Sequence, residues 1–245
     1  MNKLSIIILA AGKGSRMESE TPKVLHKLND KTLIQRVVDT SQKLNPIKTV
    51  IVIGYKKELV KQDLKSYSQL EYAIQDEQKG TGHAVKMCFD NLIDFSGDVL
   101  ILSGDVPLIN IQTLESLIKI KSLSNAEAAI LTTEMKNPSG YGRIVRKNNL
   151  LDSIVEHKDC NEVEININEI NAGIYLIDNR SLMKYIPKIS NQNNQNEYYL
   201  PDVFNFMIND NHKIAIHKIT DSNEISGINN RKQLLELDNY LTKNE

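Results

Sequence analysis

Aliphatic runs alternate with stretches whose apolar residues recur at helical spacing. Leu4 to Leu9 is almost wholly aliphatic and opens into a glycine loop, the pattern of a strand buried on both faces. Thr49 to Gly54 is a second buried strand, and Glu71 to Ile74, Val99 to Ser103 and Ala128 to Thr132 read as further strands. Between them, Thr32 to Lys43 carries Leu33, Ile34, Val37 and Val38 on one helical face. Lys57 to Ser66 and Ile111 to Lys121 read as further helices. A shorter one runs from His83 to Phe89, with Thr81 or a neighbouring glycine as its cap. Strands alternating with helices predict parallel strands joined by right-handed crossovers.

The second half changes rhythm. Arg143 to Arg146, Leu151 to Glu156 and Glu169 to Ile177 are strand-like with shorter connections, and His217 falls on another strand. Helical spacing returns at Ser181–Tyr185, Leu200–Ile208 and Arg231–Leu241. The polar tract from Ser190 to Asn196 reads as a mobile loop. The expected class is α/β: a Rossmann-like, mixed but mostly parallel sheet flanked by helices. No repeat or linker composition divides the chain, so residues 1–245 read as one domain. Within it the rhythm changes near residue 110, and residues 231–245 read as a terminal helix.

Composition narrows the function classes. The 30 basic and 31 acidic residues nearly cancel, leaving a net charge of −1, without the basic excess a nucleic-acid groove needs. Cys88 and Cys160 are far apart and form no zinc spacing, so they read as plain thiols in a reducing compartment. The first apolar run is too short for a signal peptide or a membrane span. A soluble, cytoplasmic protein with no membrane partner is the expectation. The five histidines lack metal-ligand spacing and receive no catalytic role.

Chemistry concentrates where the first strand ends, in Leu9-Ala10-Ala11-Gly12-Lys13-Gly14-Ser15-Arg16-Met17, followed by Pro22-Lys23. Glycine lets backbone N–H groups approach phosphate oxygens, and Lys and Arg neutralise charge the backbone cannot. The Walker spacing is absent, and Met17 stands where a dinucleotide loop needs a third glycine. On its own the segment fits a polyphosphate site and an ordinary strand-to-helix turn equally.

Seven further segments follow in order: Gln75–Ala84, Gly104–Leu108, Gly140–Ile144, Val155–Asp159, Glu169–Tyr175, Asn196–Leu200 and Gly227–Arg231. With the glycine loop they resemble the sugar nucleotidyltransferases, and specifically the uridyltransferase domains of bacterial N-acetylglucosamine-1-phosphate uridyltransferases. The resemblance spans Leu4 to about Arg231. That family's C-terminal acetyltransferase β-helix has no counterpart in these residues, which fits a stand-alone enzyme and a fragment of a bifunctional one equally. Ser15, Ser103 and Pro201 depart from the family pattern, and Pro201 suits the first turn of a helix.

The resemblance implies transfer of UMP from UTP to N-acetylglucosamine 1-phosphate, releasing pyrophosphate and UDP-N-acetylglucosamine, a precursor of cell-wall and surface polysaccharides. It implies Mg²⁺ as cofactor, held by Asp105 and Asn229; a lone carboxylate after a strand suits that ion. Arg16 and Lys23 are the implied catalytic cations. Leu9, Ala10, Ala11, Gly12, Lys23, Ser103, Gly104 and Asp105 would line the phosphate end. Gln75, Gly80 and Thr81 are the expected uracil contacts, since an amide offers a donor and an acceptor to a base edge. Gly142, Glu156, Asn171 and Asn229 complete the substrate contacts, and Tyr198 and Tyr199 either wall the acetamido pocket or sit in the core. A sibling enzyme with another base or sugar, and a non-catalytic nucleotide-sugar-binding regulator, are the alternatives. The sequence assigns no oligomeric state.

Overall fold

A computed structural model describes residues 3–228 and 230–244. The first half runs β1 (Leu4–Ala10), β2 (Lys27–Leu28), β3 (Lys31–Thr32), α1 (Leu33–Gln42), β4 (Lys48–Ile53), α2 (Lys57–Asp63) and β5 (Leu70–Ile74). Then come α3 (Thr81–Lys86), α4 (Phe89–Leu92), β6 (Asp98–Ser103) and α5 (Ile111–Leu123). The second half runs β7 (Ala128–Glu134), β8 (Arg143–Lys147), β9 (Leu150–Val155), β10 (Glu169–Asp178), α6 (Asn179–Tyr185), α7 (Asp202–Asn209), β11 (Ile214–Ile219) and α8 (Arg231–Asn244).

Among the described residues a nine-stranded sheet has the order β11-β7-β10-β6-β1-β4-β5, with β8 and β9 extending from β10. β1 pairs in parallel with β4 and β6, and β4 with β5. β10 runs antiparallel to both β6 and β7, so the sheet is mixed but mostly parallel. Ile6 and Ile8 face one core with α1, α2 and α5, while Ile7 faces the other with α3, α6 and α7. Helices on both faces explain why β1 reads as an unbroken aliphatic run rather than an alternating one.

Local signals set several ends. Thr32 caps α1 in a capping box with Gln35, its Oγ1 accepting from the Gln35 amide at 3.3 Å. The expected helix from His83 to Phe89 is instead two: α3 begins at Thr81, and α4 follows after Met87 and Cys88. Thr81 is not a cap; its Oγ1 accepts from the Leu200 amide at 3.0 Å, tying α3 to the chain before α7. The Ser190–Asn196 tract is a bonded turn: Asn194 reaches Asp159 and the Lys158 carbonyl, and Gln195 reaches the Tyr199 hydroxyl. Pro201 stands at the N-cap of α7. Both cysteines are free thiols. Among the described residues no helix is long and apolar enough to cross a membrane.

The parallel strands β1, β4, β5 and β6 all end at one edge, and Gly12, Gly54, Gln75 and Asp105 follow just beyond them. Antiparallel β10 begins at that edge with Glu169 and Asn171.

Candidate active site

The phosphate end is built on β1 and β6. The Gly104 amide donates to the Leu9 carbonyl at 2.9 Å, placing Asp105 beside the start of the glycine loop. Lys23 arrives through Pro22 and a tight turn over Lys23–Leu25, and its ammonium pairs with the Asp105 carboxylate. Both side chains are mostly buried, at 18% and 17% exposure. Gly14 lets this happen: its φ is +68°, and a Cβ there would lie 2.5 Å from the Lys23 Cβ. The glycine loop is thus folded onto Lys23. Ala10 and Ala11 are buried, Gly12 is exposed, and the Lys13 ammonium lies 5.5 Å over the Tyr55 ring. Arg16 is exposed, in the turn Ser15–Met17.

A cleft opens between this end and the second half. Leu9, Ser103 and Asp105 line one side, Gly142, Glu156 and Asn171 the other, and Thr81 the rim. Arg16 and Lys23 do not line it, but Arg16 lies near enough to favour ionisation of the Tyr141 hydroxyl in the cleft wall. Burial, the first cause, and then Asp105 push that hydroxyl the other way, and its net shift is upward.

Gly142, Glu156 and Asn171 form a row across three strands. In the adjoining row, Arg143 of β8 pairs with Val155 of β9 and with Ile170 of β10. The Asn171 amide donates to the Gly142 carbonyl at 2.9 Å. The Asn171 side chain is pinned: Nδ2 donates to the Tyr175 hydroxyl at 2.6 Å, and Oδ1 accepts from the Gly173 amide at 3.2 Å. Burial, then Asp202, Asp159 and Glu197, push the Glu156 carboxyl up to about 7. Burial and Asp159 raise Asp202 to about 6. This end of the cleft is acidic and poised to hold protons near neutrality.

Gln75, Gly80 and Thr81 come together at the third corner, though only Thr81 lines the cleft. Gln75 is buried, and its Nε2 faces the Gly80 carbonyl at 3.0 Å and His83 Nδ1 at 3.0 Å. Both of its donors face protein acceptors, which leaves the amide oxygen as the group it can offer a base. Gly80 has φ +105°, and a Cβ there would meet the Tyr198 carbonyl oxygen at 2.6 Å. The tight neighbour of Gly80 is therefore the Tyr198 backbone rather than a base. Neither Tyr198 nor Tyr199 lines the cleft; Tyr199 is buried and donates to Asp159 at 3.0 Å.

Asn229 lies outside the described residues. Its neighbour Ile228 donates its amide to the Asp105 carbonyl at 3.0 Å, so the chain at 228 is tied to the proposed ligand. Among the described residues no three His, Cys, Asp or Glu side chains converge as a metal site. A single carboxylate at a strand end suits an ion that takes most of its ligands from substrate phosphates and water.

Sequence reasoning left Tyr141, Tyr175, Pro201 and Asp202 unassigned around the cleft. Tyr141 and Tyr175 lie within the segments Gly140–Ile144 and Glu169–Tyr175, where the sequence could have pointed to them. Asp202 gains its part only through folding, which brings it beside Asp159 and Glu156.

Residues 6–162 match the MobA-like NTP transferase domain. The chain is 44% identical over 232 residues to the bifunctional protein GlmU of Rippkaea orientalis, covering 94% of this chain and 50% of that protein. To the bifunctional protein GlmU of Bacillus cytotoxicus it is 43% identical over 235 residues, covering 96% and 51%. The chain therefore spans about half the length of the curated relatives it matches. A solved UDP-glucose pyrophosphorylase complexed with UDP-glucose superposes with a TM-score of 0.78 over all of both chains, at 19% identity, a likeness of fold alone.

Proposed function

The chain belongs to the MobA-like NTP transferase domain family, and from that premise we propose that it transfers UMP from UTP to N-acetyl-α-D-glucosamine 1-phosphate. The products are UDP-N-acetylglucosamine and pyrophosphate. The observation that carries this reading is a single cleft with the Asp105 corner on one wall and the row Gly142, Glu156, Asn171 on the other. The identity to the GlmU proteins supports the choice of base and sugar.

In this reading a phosphate oxygen of the sugar phosphate attacks the α-phosphorus of UTP in line. The bond from that phosphorus to the bridging oxygen breaks, and pyrophosphate leaves with the electron pair. Such transfer depends on positioning and charge neutralisation rather than on a protein nucleophile. Lys23 and Arg16 neutralise the triphosphate, Lys23 exchanging its Asp105 partner for phosphate. Gln75 and Thr81 orient uracil, with Gly80 shaping their turn. Gly142, Glu156 and Asn171 hold the sugar. Mg²⁺, held by Asp105 with Asn229, would supply the remaining charge neutralisation on the phosphates. Residues up to about 110 serve the nucleotide and those from 111 to 230 the sugar, and a cytoplasmic setting fits substrates of this class.

The test is pyrophosphate release by the purified chain across a panel of nucleoside triphosphates and sugar 1-phosphates, with and without chelator. Metal-dependent release confined to UTP and N-acetylglucosamine 1-phosphate is expected. Preference for another base or sugar would replace the substrate assignment. Binding of UTP without release across the panel would overturn catalysis.

A further inference from the structure

Arg143 belongs to a motif segment, yet nothing in the proposed chemistry uses it. It is 1% exposed, among the largest fully buried side chains, and among the described residues no carboxylate lies within ion-pairing distance. Burying a cation is costly without partners. Here the partners are loop groups. Nη1 donates to the Pro138 carbonyl at 2.8 Å and to the Tyr141 carbonyl; Nη2 faces His157 Nδ1 at 3.2 Å and the Ile165 carbonyl at 3.4 Å. Nε has no partner.

These acceptors sit beside the cleft row. Tyr141 precedes Gly142, and His157 follows Glu156. Ile165 lies in the segment leading into β10, which carries Asn171. Arg143 itself is in register with Val155 and Ile170, one position from Glu156 and Asn171. Successive residues of a strand face opposite sides, so the guanidinium braces the row from behind while the row faces the cleft. The Lys23–Asp105 corner is held by different ties, to Leu9 and through the Gly14 turn.

We propose that Arg143 is the positioning residue for the sugar-phosphate end of the cleft, fixing the loops at 138–141, 157 and 165 so that Gly142, Glu156 and Asn171 meet the sugar in one geometry. This rests on the proposed transfer reaction. Its planar, forked donors suit the task and a lysine's point charge does not. The specificity is spatial: loss of Arg143 loosens sugar binding and leaves the nucleotide corner intact.

The experiment compares wild type, Arg143→Lys and Arg143→Met, with each substrate varied in turn. Misplacement by about 1 Å is worth up to about a hundredfold, so KM for the sugar phosphate should rise about 10- to 100-fold while KM for UTP stays within about twofold. Equal rises for both substrates, or no rise in a folded variant, would overturn the proposal. Should the methionine variant not fold, the lysine variant carries the comparison. Hydrogen exchange supplies an arm independent of turnover. The Tyr141 and Asp159 amides, bonded to Pro138 and Glu156, should exchange faster in Arg143→Lys, with Leu25 and Gly104 unchanged. If the wild type proves inactive, the transfer reading fails, and exchange alone judges Arg143: a uniform change or none rejects it.

Discussion

Strand β6 carries a lysine–aspartate pair at each end, and the two differ in everything but chemistry. At its start, Asp98 meets Lys121 of α5 at 2.8 Å, with side chains 10% and 8% exposed. Just past its end, Asp105 meets Lys23, each about twice as exposed, on the cleft edge. The lower pair joins a helix to the sheet and is buried. The upper pair is held by loops, and its Asp105 lines the cleft opposite Gly142, Glu156 and Asn171. A buried pair chiefly prevents the cost of its own breaking, whereas a pair at a parallel sheet's carboxyl edge is placed to exchange partners for a ligand.

Breaking the lower pair should have the largest effect on stability. Lys121→Met leaves Asp98 buried beside a neutral side chain, and unfolding free energy should fall by about 3–5 kcal/mol. Denaturant titration checks this, and activity per folded molecule should stay near wild type. Breaking the upper pair should do the reverse. Lys23→Met should lose about a hundredfold or more in turnover, while stability should fall by less than in Lys121→Met, because the freed Asp105 carboxylate borders the open cleft. Arg16→Ala should show a similar loss of turnover with its melting curve unmoved, because that side chain is exposed.

The acidic wall of the cleft sharpens the contrast through pH. Glu156 ionises at about 7 in the folded protein, against an ordinary 4.5. Between those values the folded state keeps a proton that the unfolded chain has released, so stability falls as pH rises from about 4.5 to 7 and levels beyond. Glu156→Gln should flatten that slope, gaining on the order of 2 kcal/mol relative to wild type above pH 7. Melting curves at pH 5 and pH 8 read the difference, and sugar-phosphate affinity in the wild type should change across the same window. The smallest effect belongs to a site remote from the cleft: Thr32→Ala removes the α1 cap and should cost about 1 kcal/mol, without altering turnover.

What the sequence revealed and what it hid separate along physical lines. The aliphatic run of β1, the amphipathic face of α1 and the turn at Gly104-Asp105 depend on local pattern, and all were readable. Clustering of Asp105, Gly142, Glu156 and Asn171 on one cleft was readable only through the family resemblance, since their segments lie far apart in the chain. The reversal of β10 was hidden because strand direction depends on which edges remain open once the first half has folded. The two-residue strands β2 and β3 are too short to carry a period. The inward donors of Gln75, the Tyr198 backbone against Gly80 and the carbonyl cage around Arg143 arise only when distant segments meet. An arginine in a strand pattern ordinarily reads as solvent-facing, so nothing in the sequence marked Arg143 as buried.

The most direct test of the account is metal-dependent pyrophosphate release by Lys23→Met, measured beside the wild type with UTP and N-acetylglucosamine 1-phosphate at matched concentrations of folded protein. The account predicts a loss of about a hundredfold or more in a variant that stays folded. Near wild-type release from the variant, or collapse of its fold, would contradict the division of labour between the two ends of β6.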